Sequence, residues 1–171
     1  SNIPFAITPS LARLGGMKQQ MLRIFYQGVG LPQDRESVFW LSIQEIPQLS
    51  GNENSLQVAF RQRLKVFYRP AKLPGTPAEA AKNLRWTVQG NTGKASVKVT
   101  NDTAFYISLT GAKLTVGQKE YTVKTDMIKP YSSEIMKVNG NAGAIDGNMN
   151  MNWESINDYG APIKHSAPVH F

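Results

Sequence analysis

The feature that most constrains this chain is its rhythm: short alternating runs of apolar and polar residues, each closed by a turn cluster. Residues 21–26, 38–46, 56–68, 84–88, 95–99, 104–109, 121–123, 134–138 and 149–153 are rich in Val, Ile, Phe, Tyr and Thr and read as strands. Gly15-Gly16, residues 89–93, Asn101-Asp102, Gly117 and residues 139–143 supply the Gly and Asn that turns need. The one helix-like window, residues 77–84 with Ala78-Glu79-Ala80-Ala81-Lys82, is too short to exceed a turn or two. An all-β protein built from sandwiches is therefore expected.

The clear break in the rhythm is the stretch from Arg69 to Pro77, where Pro70, Pro74, Gly75 and Pro77 end any continuing ladder. A boundary near Gly75 gives two domains, 1–74 and 75–171. The second has 97 residues (171 minus 74), which suits one immunoglobulin-like sandwich of about 100 residues. The first is too short for that, and its few strands cannot close two facing sheets. It reads as an incomplete sandwich that lacks its opening strands and leaves an apolar face uncovered. Residues 1–74 carry 9 basic and 4 acidic groups and residues 75–171 carry 10 and 8, so the net charge of +7 is mainly in the first segment.

Composition removes several functions. No Cys means no disulfide scaffold, thiol chemistry or Cys-based metal site. His165 and His170 are the only imidazoles, spaced for neither a helix face nor a strand face, so no metal site, cofactor or catalytic role is expected and the chain is read as a non-enzyme. Gly140, Gly143 and Gly147 lack the Lys-Ser/Thr ending of a phosphate-binding loop and read as a loop. Arg61, Arg63 and Lys65 beside Phe67 and Tyr68 are a basic and aromatic strand, but the modest charge argues against nucleic acid as a partner. Asn101-Asp102-Thr103 fits a glycosylation sequon that a three-residue pattern produces by chance. No apolar stretch is long enough for a spanning helix. The opening Ser1-Asn2-Ile3-Pro4 has neither an initiator Met nor the pattern of a secretory signal, so removal of an upstream segment is expected.

Several runs resemble a known family. Leu31-Pro32-Gln33-Asp34-Arg35-Glu36-Ser37-Val38-Phe39 is followed by Glu45-Ile46-Pro47, then by residues 56–60 leading into Leu64-Lys65-Val66-Phe67-Tyr68-Arg69-Pro70. The second segment adds residues 99–106 and Ile156-Asn157-Asp158-Tyr159-Gly160. Both sets are similar, in order, to the PapD-like periplasmic pilus chaperones of the chaperone-usher pathway. The resemblance implies two immunoglobulin-like domains, a periplasmic location, and capture of a pilus or fimbrial subunit by donor-strand complementation before delivery to an outer-membrane usher. It implies that Leu56, Val58 and Phe60 fill the subunit's groove and that Lys65 anchors its C-terminal carboxylate. The arginine that shares this anchor in the family has no counterpart here, which leaves the anchor half built. Glu36, Arg69 and Asp158 match the family's interdomain charge network, and the short connection over residues 46–54 resembles the branch serving rod-like pili.

The residues themselves support the donated strand without requiring it. Leu56, Val58 and Phe60 alternate with Gln57, Ala59 and Arg61, which gives one apolar face able to pair with a partner strand. In an arbitrary β protein that face would pack inside its own domain. Strict alternation also puts Lys65 on the face opposite Leu56, so a bulge or strong twist is expected if both serve one ligand. The alternative function is an immunoglobulin-like structural or adhesive module without chaperone activity. Solvent-facing Leu56, Val58 and Phe60 would favour donation, and burial would favour the module. Self-association of the chain through its exposed strands is a further expectation.

Overall fold

The computed structural model describes residues 3–47, 56–90, 95–140 and 148–169. Most of the 46–54 connection, the turn readings at 91–93 and 141–143, Gly147 and His170 lie outside the described residues. The chain forms two compact units, Ser1–Gln33 and Asp34–Phe171.

In the first unit, β1 (Phe5–Thr8) and β2 (Arg23–Tyr26) pair antiparallel, with Phe5 opposite Tyr26 and their rings 5.4 Å apart. Ile24 and Phe25 on β2 stay exposed, because a lone hairpin has one partner and two faces. β1 was not legible as a strand, since Phe5-Ala6-Ile7-Thr8 is short and ends at Pro9.

The second unit opens with the hairpin of β3 (Ser37–Gln44) and β4 (Arg61–Tyr68), in continuous register from Ser37 opposite Tyr68 to Gln44 opposite Arg61. β4 begins at Arg61 and not at residue 56. β3 ends at Gln44, so the last rung here is the Glu45 N–H donated to the Phe60 carbonyl at 2.9 Å. Helix α1 (Pro77–Lys82) is the expected short turn. Thr76 caps it by accepting from the Glu79 N–H, and Pro77 sits where its missing N–H costs nothing.

Beyond α1 the chain forms a sandwich of two antiparallel sheets. One has the order β10 (Ser132–Lys137), β6 (Ser96–Asn101), β5 (Arg85–Gln89). The other has the order β12 (Pro162–Val169), β11 (Met149–Ile156), β7 (Ile107–Val116), β8 (Lys119–Val123), with β9 (Met127–Ile128) paired to the start of β7. Alternate residues point inward: Trp86 and Val88 from β5, Val97 and Val99 from β6, Leu114 from β7, Met151 and Trp153 from β11 join one core. The Trp86 and Trp153 rings meet across the sheets at 5.6 Å, and the Trp153 indole N–H donates to the Ala81 carbonyl. Roughly 1.5–3 kcal/mol per buried large apolar side chain makes this core the main source of stability.

Three differences from the sequence reading have physical causes. β7 runs on to Val116, because Thr110 is the extra residue of a bulge between the Leu109–Ser155 and Gly111–Glu154 pairs, and the ladder resumes beyond it. β12 has Pro162 and Pro168 and no clean alternation; among the described residues it pairs with β11 alone, and an edge position tolerates proline. His165, outside every strand read from the sequence, is therefore a strand residue. Its ring stacks on Trp153 at 5.4 Å and its Nε2 lies 2.9 Å from Ser155 Oγ.

Candidate functional site

The site is built where the β3–β4 hairpin meets the sandwich, within the second unit. Glu36, one residue before β3, has a side chain 2% exposed. Its Oε1 accepts from Arg69 Nε at 2.6 Å and its Oε2 accepts from the Tyr106 N–H at 2.6 Å. The Glu36 N–H donates to the Ala104 carbonyl at 2.9 Å, so both its backbone and its side chain are held by the 104–106 turn. Arg69 then reaches Asp158 in the β11–β12 turn with a two-pronged contact, Nη1 to Oδ2 at 2.6 Å and Nη2 to Oδ1 at 2.8 Å. Its guanidinium also lies 5.5 Å from the centre of the Phe105 ring. Arg69 thus joins carboxylates 33 and 89 positions away in sequence, and the three charges that the sequence analysis grouped do meet.

The electrostatics follow from that geometry. Hydrogen bonds to Asp158, and then to Glu36, raise the Arg69 pKa against the opposing effect of burial, so the cation persists at any working pH. Asp158 is held below its ordinary value chiefly by the hydrogen bonds from Arg69. Burial first, and the nearby Glu36 carboxylate second, raise the Tyr106 phenol.

Asn101 supports this corner from beneath. It is 1% exposed, and its amide donates to the Phe105 and Lys129 carbonyls at 2.7 and 2.9 Å while its oxygen accepts from the Thr103 N–H at 3.0 Å. The sequon pattern is here an internal brace for the turn that holds Glu36. The only hint in the sequence was an Asn-Asp-Thr cluster, which signals a turn and not its burial.

Upstream of β4, Leu56, Val58 and Phe60 are 92%, 55% and 67% exposed and belong to no strand. β4 pairs with β3 alone among the described residues. On β4 the odd-numbered residues Arg61, Arg63 and Lys65 share one face, opposite Gln44, Ser42 and Trp40. The even-numbered Leu64 and Val66 share the other with Leu41 and Phe39. No register shift interrupts this hairpin, so the bulge expected between Leu56 and Lys65 is not found within β4. Lys65 Nζ lies 3.4 Å from Ser108 Oγ on β7 and 5.7 Å from the Trp40 ring centre. Arg63 packs its guanidinium over the same ring at 4.8 Å. Sequence reasoning passed over Trp40 and Ser108: the register that sets Trp40 opposite Lys65 depends on the hairpin connection, and Ser108 reaches the site only through the fold.

Comparison with known proteins places two family models along the chain. Residues 1–74 match the model of the pili and flagellar-assembly chaperone PapD N-terminal domain, and residues 79–167 that of the pili assembly chaperone PapD C-terminal domain. The chain is 40% identical over 171 residues to the probable fimbrial chaperone YadV of Escherichia coli K12, covering 96% of this chain and 69% of that one. It is 35% identical to the chaperone protein FimC of the same strain, covering 92% and 61%. Among solved structures, that of the YadV chaperone superposes with a TM-score of 0.86 over 97% of this chain and 79% of that one, at 40% identity. A chain of the complex between Salmonella enterica SafA pilin and the SafB chaperone gives 0.78 at 30% identity, over 98% and 76%. The chain thus spans between 61% and 69% of the length of those two curated relatives.

Proposed function

This chain belongs to the PapD-like family of pilus-assembly chaperones, and on that premise we propose that it binds pilus subunits in the periplasm by lending them the strand-forming segment that starts at Leu56. The observation that carries the reading is the exposure of Leu56, Val58 and Phe60 immediately before a hairpin strand that pairs with β3 alone among the described residues. An apolar alternation left in solvent is costly unless it is covered by a partner, and an adjacent edge offers that partner a ladder. Lys65 anchors the subunit's terminal carboxylate, and Glu36, Arg69 and Asp158 hold the lent hairpin against the sandwich. The family domains are 1–74 and 75–171, and the loaded chaperone is delivered to an outer-membrane usher. In the absence of a subunit, a second copy of the chain covers the same segment, which sedimentation at rising concentration reads as a dimer.

The exposure also supports donation over the structural or adhesive module, for which an uncovered alternating segment serves no purpose. The test is capture of a purified pilus subunit during refolding. The triple variant Leu56→Ser, Val58→Ser, Phe60→Ser should lose capture while its unfolding transition stays in place, because these side chains support no core. Undiminished capture by that variant rejects strand donation.

A further inference from the structure

Tyr131, the residue before β10, is bulky and aromatic yet has a φ of 49°. From its contacts we infer that it is a positioning residue: through Asp34 and Arg35 it holds the chain entering β3, and so sets how the β3–β4 hairpin stands against the sandwich. The inference deepens the strand-donation reading and rests on it, because the hairpin carries the lent segment.

The first observation is in the backbone. Among the described residues of the second unit, every other positive φ belongs to a glycine: Gly75, Gly90, Gly117, Gly140 and Gly160. A left-handed conformation is strained for a residue with a β-carbon, and such strain persists where the surroundings hold it for a purpose. Pro130 followed by a positive φ is the pattern of a type II turn, whose third position Gly or Asn ordinarily fills. A tyrosine there has its reason in its side chain.

The second observation is what the ring meets. The Arg35 guanidinium lies over it, 5.1 Å from its centre. Asp34 orients that guanidinium, accepting from its Nε at 3.1 Å and from its Nη2 at 2.7 Å. The Tyr131 hydroxyl donates to the Asp34 carbonyl at 3.5 Å. Its N–H donates to the Thr103 carbonyl at 3.1 Å, and the next carbonyl, that of Ala104, accepts from the Glu36 N–H. Residues 34–36 are thus held along one ledge: the ring takes Asp34 and Arg35, and the 104–106 turn takes Glu36. The ring lies outside the hydrophobic core, and both it and Arg35 are exposed, so the contact adds little stability. What it fixes is direction.

Direction matters at Lys65, whose Nζ lies 3.4 Å from Ser108 Oγ on β7. A strand that runs along β4 as far as Lys65 meets the sandwich as well as the hairpin, and the room it finds depends on the angle between them. The charge network holds that angle through Arg69, just past the end of β4. Tyr131 holds it at the entrance to β3. Two attachments suppress a pivot that either alone would allow.

The test places spin labels at Gln62→Cys on β4 and Lys119→Cys on β8, in a chain that has no cysteine of its own. Their distance distribution by pulsed electron resonance reads the orientation of the hairpin, and refolding of a purified pilus subunit at rising chain concentration reads capture. Tyr131→Gly should broaden the distribution and raise the concentration for half-maximal capture about two- to fivefold, the weight of one exposed cation–ring contact. Its unfolding midpoint should stay in place or rise, because glycine relieves the left-handed backbone. Arg35→Gln should match it, and the double variant should be no worse than either single one. Tyr131→Phe keeps the ring and should keep capture. Stability and capture lost together in Tyr131→Gly would make the residue structural and overturn the proposal. An unchanged distribution, or undiminished capture, overturns it as well. If the unsubstituted chain captures no subunit, strand donation fails, and the distance distributions still decide whether Tyr131 orients the hairpin.

Discussion

Replacing Arg69 by alanine tests the central joint of the molecule, and the structure sets the size of the effect. The Asp158 arm contributes little, since that carboxylate is 51% exposed and an exposed pair is worth about 0–1 kcal/mol. The Glu36 arm matters more. Its side chain is 2% exposed and would retain only the Tyr106 N–H, and stranding a buried charge costs about 3–5 kcal/mol. Arg69 is itself 37% exposed, so water screens the pair and enters the space left behind, which lowers the expected total to about 2–3 kcal/mol. Glu36→Gln keeps an acceptor and removes the charge, and should cost about 1–2 kcal/mol. Asp158→Asn should cost under about 1 kcal/mol. The decisive outcome is the double variant Glu36→Gln, Arg69→Ala, which should be more stable than Arg69→Ala alone because no buried charge is left. Urea unfolding followed by circular dichroism gives the four free energies, and amide exchange should accelerate in β3 and β4 before the sandwich core. An additive double variant, or an Asp158→Asn as damaging as Arg69→Ala, would refute the stranded-charge argument.

Three further outcomes rest on the same contacts. Burial, reinforced by Lys82, holds the His165 pKa below its ordinary 6.5; the unfolded chain then takes up the proton first, so stability should fall as pH drops through and below 6.5, and His165→Phe should flatten that slope in melts between pH 7 and 5. The Asp158 pKa is likewise depressed, so its contribution is present above 3.8 and lost as acid carries the pH through its lowered value; Asp158→Asn should remove that small acid-limb loss in the same melts. Asn101→Ala should lower stability by about 2–3 kcal/mol in thermal unfolding, since it strands the buried Phe105 carbonyl and loses the Thr103 contacts.

Much of the fold was legible because alternation and turn chemistry are local. Trp86, Val88, Val97 and Val99 announce one face of a sheet by spacing alone, and Ala78-Glu79-Ala80-Ala81-Lys82 announces the short helix. What stayed hidden was set by partners distant in sequence. Residues 56–60 alternate as well as any strand, yet among the described residues the ladder ends with the Glu45–Phe60 hydrogen bond and leaves residues 56–59 outside it. Pro162 and Pro168 concealed β12, whose edge position no local rule reveals. The charge cluster was legible only through family resemblance: Glu36, Arg69 and Asp158 have no spacing rule in common, and the Tyr106 N–H that completes it has no side-chain signature at all.

The parity of the strand, which first argued for a bulge, bears on how one ligand could use both sets of residues. Leu56, Val58 and Phe60 are even-numbered, Arg63 and Lys65 odd, and the continuous β3–β4 register keeps odd and even on opposite faces through β4. A side-chain ligand would have to choose one face. A strand laid along the edge of β4 away from β3 does not, because its backbone lies in the plane of the sheet while its side chains alternate above and below. Its terminal carboxylate is a backbone group and ends in that plane, within reach of cations leaning in from either face. Apolar burial on one side of residues 56–60 and charge capture on the other side of β4 are then compatible without a bulge. The two contributions should also separate cleanly in titrations with synthetic strand peptides that end in a free carboxylate or in an amide: serine at Leu56, Val58 or Phe60 should weaken both peptides by the same factor, whereas glutamine at Lys65 should weaken only the carboxylate form. Loss of the carboxylate preference in Val58→Ser would show that the two faces are coupled and that a local twist or bulge brings them together after all.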